Sequence, residues 1–337
     1  LILLRKNLNF KAISIIEISS MILSNIIAII LAFLNFGVWS LIARLFLNKA
    51  ISSLLSWMYL KWKPVKPRTK GLKPLVQYGL NMLGSNIFNF FAENLIGILT
   101  GKFLGKEAMG LFSIAFNLAI VPATKVQKIL TSVLLPVFST IQNDIKLFSR
   151  SYKKTLFYTS IIFLPFMFFV SGASENILLN FYGPKLSNAN NLLLILSFVG
   201  SLRGLSHLLR SSLLAKGKSN IIFYATVLEV CFSVPLLIYW MNNYGIYGLM
   251  AGYFLGAIIG TSYISYYFNK LIFDESVIFK TIYKSLLLSI IIFICSYLIG
   301  MLKLHVTIEL FMQIGISLLI FFNFLKLYNI DYKGFIN

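Results

Sequence analysis

The chain has 337 residues, of which 58% are hydrophobic and only 12% charged, and its formal net charge is +20. This composition excludes an ordinary soluble domain and is typical of an integral membrane protein. The positive charge does not indicate nucleic-acid binding, because the basic residues lie in short breaks between apolar stretches, where anionic lipid headgroups are the expected partner.

Ten apolar stretches follow one another along the chain. A bilayer core about 30 Å thick needs roughly 20 helical residues to span it, and each stretch is long enough. The sequence therefore predicts an all-α, polytopic transmembrane helix bundle. The predicted spans lie near residues 12–35, 38–60, 75–100, 108–135, 155–180, 191–215, 221–241, 246–269, 284–302 and 308–326.

The basic residues predict the orientation of these spans. Of 30 Lys and Arg, 20 lie in breaks on one side of the membrane and four in breaks on the other, and the remaining six lie inside spans. Positive charge marks the cytoplasmic side, so both ends of the chain are predicted to be cytoplasmic. Glu175 and Glu309 fall near the outer ends of spans and are predicted to lie at the interface.

Several absences narrow the function. The sequence has no G-x-x-x-x-G-K-[ST] phosphate loop, two histidines and no Cys/His cluster, which argues against an ATP site, a metal centre or another cofactor. The breaks on the outer side are too short to hold a catalytic domain. These absences argue against an enzyme.

The most informative residues are cations inside the predicted spans. A cation at the centre of a helix costs about 2.5–3.5 kcal/mol on insertion scales, so each should face water, a counter-charge or a ligand. Arg203, His207 and Arg210 share one helical face through i, i+4, i+7 spacing. The predicted cavity-facing set is Arg203, Lys49, Lys125, Arg44, Lys128, His207 and Arg210.

Simpler interpretations of these residues stay open. Lys128 and Arg210 are near enough to the inner surface to snorkel, and His207 could be a hydrogen-bonded interior histidine. Glu17, Glu93 and Glu229 could carry a coupling ion or could pair structurally with a buried base.

Glycines recur at i+4 intervals in two places. Gly248, Gly252, Gly256 and Gly260 do so in the eighth span, and Gly97, Gly101 and Gly105 do so across the end of the third. This spacing predicts close packing between helices of one bundle.

The stretch Ala92–Asp144 resembles the polysaccharide transporters of the multidrug/oligosaccharidyl-lipid/polysaccharide (MOP) superfamily. These include the Wzx-type O-antigen flippases and, in particular, lipopolysaccharide exporters of the WzxC kind. The matching details include residues 101–105 (GKFLG), Pro122, residues 135–136 (LP), residues 37–41 (GVWSL) and residues 215–218 (AKGK). Ile96 departs from the pattern where the family often has an acidic residue, which puts acid-based coupling at that helix in doubt.

The resemblance implies a two-lobed helical fold, of which this chain would be the C-terminal part. On that mapping, residues 1–60 are the last two helices of a truncated N-terminal lobe and residues 61–74 are a basic inter-lobe linker. Residues 75–270 form a six-helix C-terminal lobe, and residues 271–337 add two helices. Four earlier helices would be missing, and the chain alone is expected to be inactive.

The resemblance also implies the function. The protein would move undecaprenyl-pyrophosphate-linked oligosaccharide repeat units across the bacterial cytoplasmic membrane by alternating access, with possible proton or sodium coupling. Its expected partners are this substrate, membrane lipids and other polysaccharide-assembly proteins of the membrane. The alternatives are another MOP-type exporter, for lipid II or drugs, and a membrane polymerase or ligase of polysaccharide synthesis.

Overall fold

The fold is all-helical throughout the part of the chain that the computed structural model describes, residues 2–6, 9–60, 71–272, 277–302 and 304–327. Eight helices in this part are long and apolar enough to cross a membrane. The described residues divide into two compact units, 1–72 and 73–337. The predicted linker 61–74 falls mostly outside the described residues, and the next helix begins at Leu72.

The first unit is a helical hairpin preceded by one short helix. Asn9 caps the second helix by accepting a hydrogen bond from the Ala12 amide at 3.1 Å. The turn between the two long helices uses positive φ at Asn35 and Gly37. Buried serines lie between the helices, whereas most of their large apolar side chains are exposed, as expected of helices that face lipid. The elements are α1 (Ile2–Lys6), α2 (Phe10–Phe33) and α3 (Val38–Leu60).

The second unit is a larger bundle whose most buried candidate span is α8. α8 packs against α5, α6 and α9, while α6 also packs against α10. The elements are α4 (Leu72–Leu99), a π-helical segment (Thr100–Leu104), α5 (Gly105–Thr140), α6 (Ile145–Gly172), α7 (Ser174–Tyr182), a 3-10 helix (Pro184–Ala189), α8 (Asn190–Ala215), α9 (Ser219–Ile272), α10 (Val277–Gly300) and α11 (Val306–Leu327).

The eight long helices account for all ten predicted spans. The helical run 72–140 has 69 residues and α9 has 54, each more than twice the length that one crossing requires. Both runs contain a glycine at positive φ, Gly105 at 90° and Gly245 at 58°. Glycine tolerates this conformation because it has no Cβ, so each run breaks there into two predicted spans.

One predicted span was misplaced. The fifth was expected over 155–180, but α6 covers Ile145–Gly172 and a separate short helix, α7, follows. Asp144 starts α6 by accepting a hydrogen bond from the Leu147 amide at 2.9 Å. The first turns of α6 carry Lys146 and Arg150, so a hydropathy criterion places the start too late although the backbone is already helical.

The two acidic residues predicted at the interface differ in exposure. Glu175 is exposed, but Glu309 is only 3% exposed. Its carboxylate accepts hydrogen bonds from the Asn176 side chain at 3.0 Å and from the Leu304 amide. Residues of α7 and of the loop before α11 thus supply donors that cover the Glu309 carboxylate at this end of α11.

The glycines of α9 confirm the predicted close packing within one bundle. A Cβ placed on Gly248, Gly252, Gly256 or Gly260 would meet atoms of Trp240, Leu237, Ser233 and Glu229, respectively. The partner number falls as the glycine number rises, so the two arms of α9 run antiparallel and in close contact on either side of Gly245. This contact brings the second arm of α9 against Glu229.

A polar layer separates two apolar clusters within the second unit. On α8 one cluster ends at Val199 and the other begins at Leu208, and on α9 they are separated between Ala225 and Leu237. Arg203 of α8 and Glu229 of α9 lie in this interval, and Arg210 follows it by two residues. The bundle therefore buries a polar site about midway along its helices.

Candidate anion-binding cavity

Arg203, His207 and Arg210 line one cavity of about 300 Å³, as their common helical face predicted. The cavity lies within the second unit, and α4, α5 and α9 also contribute to its wall. Glu93 of α4 and Glu229 of α9 face the same space. Five of the ten predicted site residues are therefore brought together.

The charges in this cavity form an ion-pair network centred on Glu229. The Arg203 Nη2 donates to Glu229 Oε1 at 2.7 Å, and the Arg210 Nη2 donates to Glu229 Oε2 at 3.4 Å. A weaker contact of 3.4 Å joins Arg203 Nη1 to Glu93 Oε1. Two arginines thus face two carboxylates, which offsets most of the cost of placing them inside apolar helices.

Neighbouring side chains fix the arginines further. The Arg203 guanidinium lies over the Tyr253 ring, 4.5 Å from its centroid, in a cation–π contact. The Arg210 Nη1 donates to Thr226 Oγ1 at 3.1 Å. Arg210 therefore turns into the protein, with its side chain 14% exposed, and does not snorkel to the surface.

Three buried nitrogens on this face of α8 lack a hydrogen-bond partner among the described residues. They are Arg203 Nε, His207 Nδ1 and Arg210 Nε. Each arginine Nε carries an N–H that can only donate, and a buried donor without an acceptor is costly. His207 therefore lines the cavity with one ring nitrogen that has no partner among the described protein groups. The arrangement suits a ligand rich in acceptor oxygens, such as a phosphate group.

Neutral polar groups line the rest of the wall. Asn86 and Asn89 on α4 precede Glu93 at the spacing of one helical face, and hydroxyl groups face them from the other helices. The sequence interpretation missed these asparagines, although their spacing within an apolar helix was a usable signal. It also missed Tyr253, for which no sequence signal existed. The hydroxyl-bearing residues are Ser85, Thr124, Thr131, Ser206, Ser211 and Thr261.

The other predicted site residues lie elsewhere or are not described in full. Lys125 on α5 is exposed and does not line the cavity, although its neighbour Thr124 does. Lys128 lies on the same helix, but its side chain is outside the described part. Arg44, Lys49 and Glu17 belong to the first unit and are exposed there, and Glu17 is 3.8 Å from Arg5.

Metal-ligand groups do not gather in this cavity. Within the described ranges, no three His, Cys, Asp or Glu side chains are close enough to hold a metal ion. Both carboxylates of the cavity already face arginine. The chemistry that the site offers is non-covalent recognition of a charged and hydroxylated ligand.

Comparisons with known proteins agree with the membrane fold. The chain is 27% identical to the lipopolysaccharide biosynthesis protein WzxC of Escherichia coli, over 77% of this chain and 53% of that protein. It is 28% identical to the teichuronic acid biosynthesis protein TuaB of Bacillus subtilis, over 66% and 47%. The succinoglycan biosynthesis transport protein ExoT of Rhizobium meliloti is 28% identical, over 54% and 37%. The chain thus spans about half the length of these curated relatives.

A solved structure shares the fold. The lipid II flippase MurJ, in an inward closed conformation, matches 94% of this chain and 68% of its own with a TM-score of 0.61 and 20% sequence identity. Residues 1–191, more than half of the chain, match the family described as polysaccharide biosynthesis protein. The chain is therefore a multi-pass membrane protein that belongs to the polysaccharide biosynthesis protein family, in line with the resemblance to Wzx-type proteins.

Proposed function

We propose that the whole protein translocates an undecaprenyl-pyrophosphate-linked oligosaccharide from the cytoplasmic to the periplasmic leaflet of the bacterial cytoplasmic membrane. The names of the relatives support an export step in polysaccharide synthesis, since ExoT is a transport protein and MurJ is a lipid flippase. Alternating access would proceed by rocking of the two lobes about the segment 61–74.

The observation that carries this proposal is the cavity on α8. Arg203 and Arg210 each have a buried Nε–H without an acceptor, and His207 between them has an unpartnered Nδ1. A pyrophosphate supplies the acceptor oxygens that these groups lack, and arginine can bind two of them at once. The asparagine and hydroxyl side chains of the wall would bind sugar hydroxyl groups next to it.

The remaining predicted residues take supporting roles in this proposal. Lys125, Lys128, Arg44 and Lys49 would help to attract the pyrophosphate as it enters or leaves. Glu17, Glu93 and Glu229 remain the candidates for proton or sodium coupling. Of these three, Glu93 and Glu229 face the cavity, where a change of their charge would act directly on the bound anion.

Deletion of the full-length gene, followed by analysis of lipid-linked intermediates, tests the function. Repeat units trapped on the cytoplasmic leaflet are the expected result. Normal flipping with unpolymerised units outside would instead assign the protein to polymerisation or ligation and contradict the proposal.

The orientation of the chain is tested separately by cysteine labelling. In a background that lacks Cys231 and Cys295, single cysteines at Ser187 and Asn242 should react with an impermeant thiol reagent from outside, and one at Thr69 should not. The opposite labelling pattern would reverse the proposed orientation, in which both ends are cytoplasmic.

A further inference from the structure

Arg203 has two carboxylate partners that differ in strength. The Glu229 carboxylate is 2.7 Å from Arg203 Nη2, and both side chains are little exposed, at 11% and 16%. Glu93 is 3.4 Å from Arg203 Nη1, and its side chain is 42% exposed. A long ion pair with one partly exposed partner contributes little stability, whereas a short buried pair is costly to break. Glu93 is therefore the partner that Arg203 releases more easily.

Glu93 also lies at the boundary of two spaces. One is the cavity around Arg203, and the other is an open depression of about 560 Å³ between α4 and α5. The depression has polar groups on its wall from Asn94, Ser113 and Asn117, together with Lys102. A Glu93 carboxylate that leaves Arg203 thus has a second position, lined by polar groups, within reach of a side-chain rotation.

The charge balance of the cavity determines which carboxylate an incoming anion can displace. Two carboxylates already neutralise the two arginines, so an incoming anion meets no excess positive charge from them. Displacing Glu229 would leave both arginines without their main counter-charge. Displacing Glu93 exposes one edge of the Arg203 guanidinium and leaves the Glu229 contacts intact.

We propose that Glu93 is a tethered competitor of the anionic ligand. Its carboxylate occupies Arg203 Nη1 in the empty cavity, a phosphoryl group replaces it on binding, and Glu93 turns toward the depression between α4 and α5. The inference rests on the proposed function, because the ligand is taken to be a pyrophosphate. A multidentate phosphoryl group outcompetes a single contact of 3.4 Å, so the exchange favours the substrate and excludes weaker anions.

The decisive variant is Glu93→Gln in the full-length protein, reconstituted in lipid nanodiscs and titrated calorimetrically with inorganic pyrophosphate at fixed ionic strength. We expect about two- to fivefold tighter binding than the wild type, the size of effect typical of a partly exposed ion pair. A residue that only supported the fold would give weaker binding. Glu107→Gln is the matched control, since it makes the same change of charge at an exposed position in the first turn of α5, outside the cavity wall; its affinity should equal that of the wild type.

Two further variants separate direct contact from a general field effect. Glu93→Asp keeps the charge but shortens the side chain, and its affinity should lie between those of the wild type and Glu93→Gln. In an Arg203→Ala background, Glu93→Gln should gain less than twofold. An undiminished gain in affinity in that background would show that Glu93 acts only through its long-range electrostatic repulsion of the anion, and it would overturn the competitor role. Thermal unfolding checks that each variant is folded.

The remaining outcomes distinguish the two proposals. If the wild type binds pyrophosphate and folded Glu93→Gln binds it equally or less tightly, the competitor is excluded while the anion site stands. If neither binds, the anion site and the competitor both fail. The same titrations with polyprenyl pyrophosphate in the nanodisc identify the source of the ligand. A gain with inorganic pyrophosphate alone would assign the cavity to a free anion and contradict the lipid-linked substrate.

Discussion

Of the three apolar helices that carry cations inside predicted spans, α8 and α3 surround them differently. Arg203 and Arg210 of α8 are directed into a bundle, paired with Glu229 and packed on Tyr253 and Thr226. Arg44 and Lys49 of α3 are exposed on their hairpin. The insertion cost of a cation is similar in both helices, but among the described residues of the two units only α8 pairs its cations with carboxylates.

The comparison distinguishes two roles of a charged residue in a membrane-spanning helix. A cation that is paired inside one bundle stabilises the arrangement of several helices, and its removal changes both stability and binding. A cation on an exposed face contributes little to its own unit and is free to meet water, lipid headgroups or a ligand. The two kinds of residue should therefore respond differently to substitution.

The largest expected effect is that of Arg203→Glu. A third carboxylate beside Glu93 and Glu229 replaces attraction with repulsion in a site of low exposure, so we expect transport to be abolished. Breaking a buried pair costs about 3–5 kcal/mol, and the free energy of unfolding should fall by about that amount. Arg203→Lys keeps the charge but loses the planar fork, and it should impair transport less.

Membrane insertion and lipid-linked intermediates measure the two parts of this effect in the full-length protein. Wild-type flipping by Arg203→Ala would show that the residue is structural. The pyrophosphate contacts would then have to be sought elsewhere, first at Lys125 and Lys128.

An intermediate effect is expected for Gly260→Ala. The new Cβ would lie 2.7 Å from Glu229 Oε2, so the carboxylate between the two arginines must shift. Overpacking of this kind costs about 1–3 kcal/mol in the free energy of unfolding. Gly315→Ala is the matched control, because nothing lies within 4 Å of its Cβ position. Denaturant unfolding in micelles should show a loss for Gly260→Ala alone, and equal values for both variants would contradict the tight contact.

The smallest effect on stability is expected for Arg44→Ala and Lys49→Ala. Both side chains are exposed in the first unit, and surface substitutions usually change the free energy of unfolding by less than about 0.5 kcal/mol. Reduced transport at unchanged stability would support their proposed role in attracting the pyrophosphate. A large loss of stability would contradict the proposed difference between the exposed cations of α3 and the paired cations of α8.

The sequence predicted the helices well, because apolar length and helical spacing are local properties. The common face of Arg203, His207 and Arg210 follows from spacing within one helix and was correct. Which acid pairs with which arginine could not be predicted, since Glu93 and Glu229 reach Arg203 only when α4, α8 and α9 are assembled. Tyr253 was missed for the same reason. The burial of Glu309 could not be predicted either, because its position near a span end says nothing of the donors that α7 supplies.

The shared carboxylate of Glu229 has a consequence for biogenesis. On insertion scales each central arginine costs about 2.5–3.5 kcal/mol. α8 therefore inserts poorly until the chain that carries its counter-charge has been synthesised. Glu229 follows Arg203 by only 26 residues, in the next helical arm. We therefore expect α8 and the first arm of α9 to leave the translocon as a pair. Glycosylation mapping can compare nascent chains that end after α8 with chains that end after the first arm of α9. We expect more complete insertion of α8 in the longer chains. Equal insertion would argue against paired release.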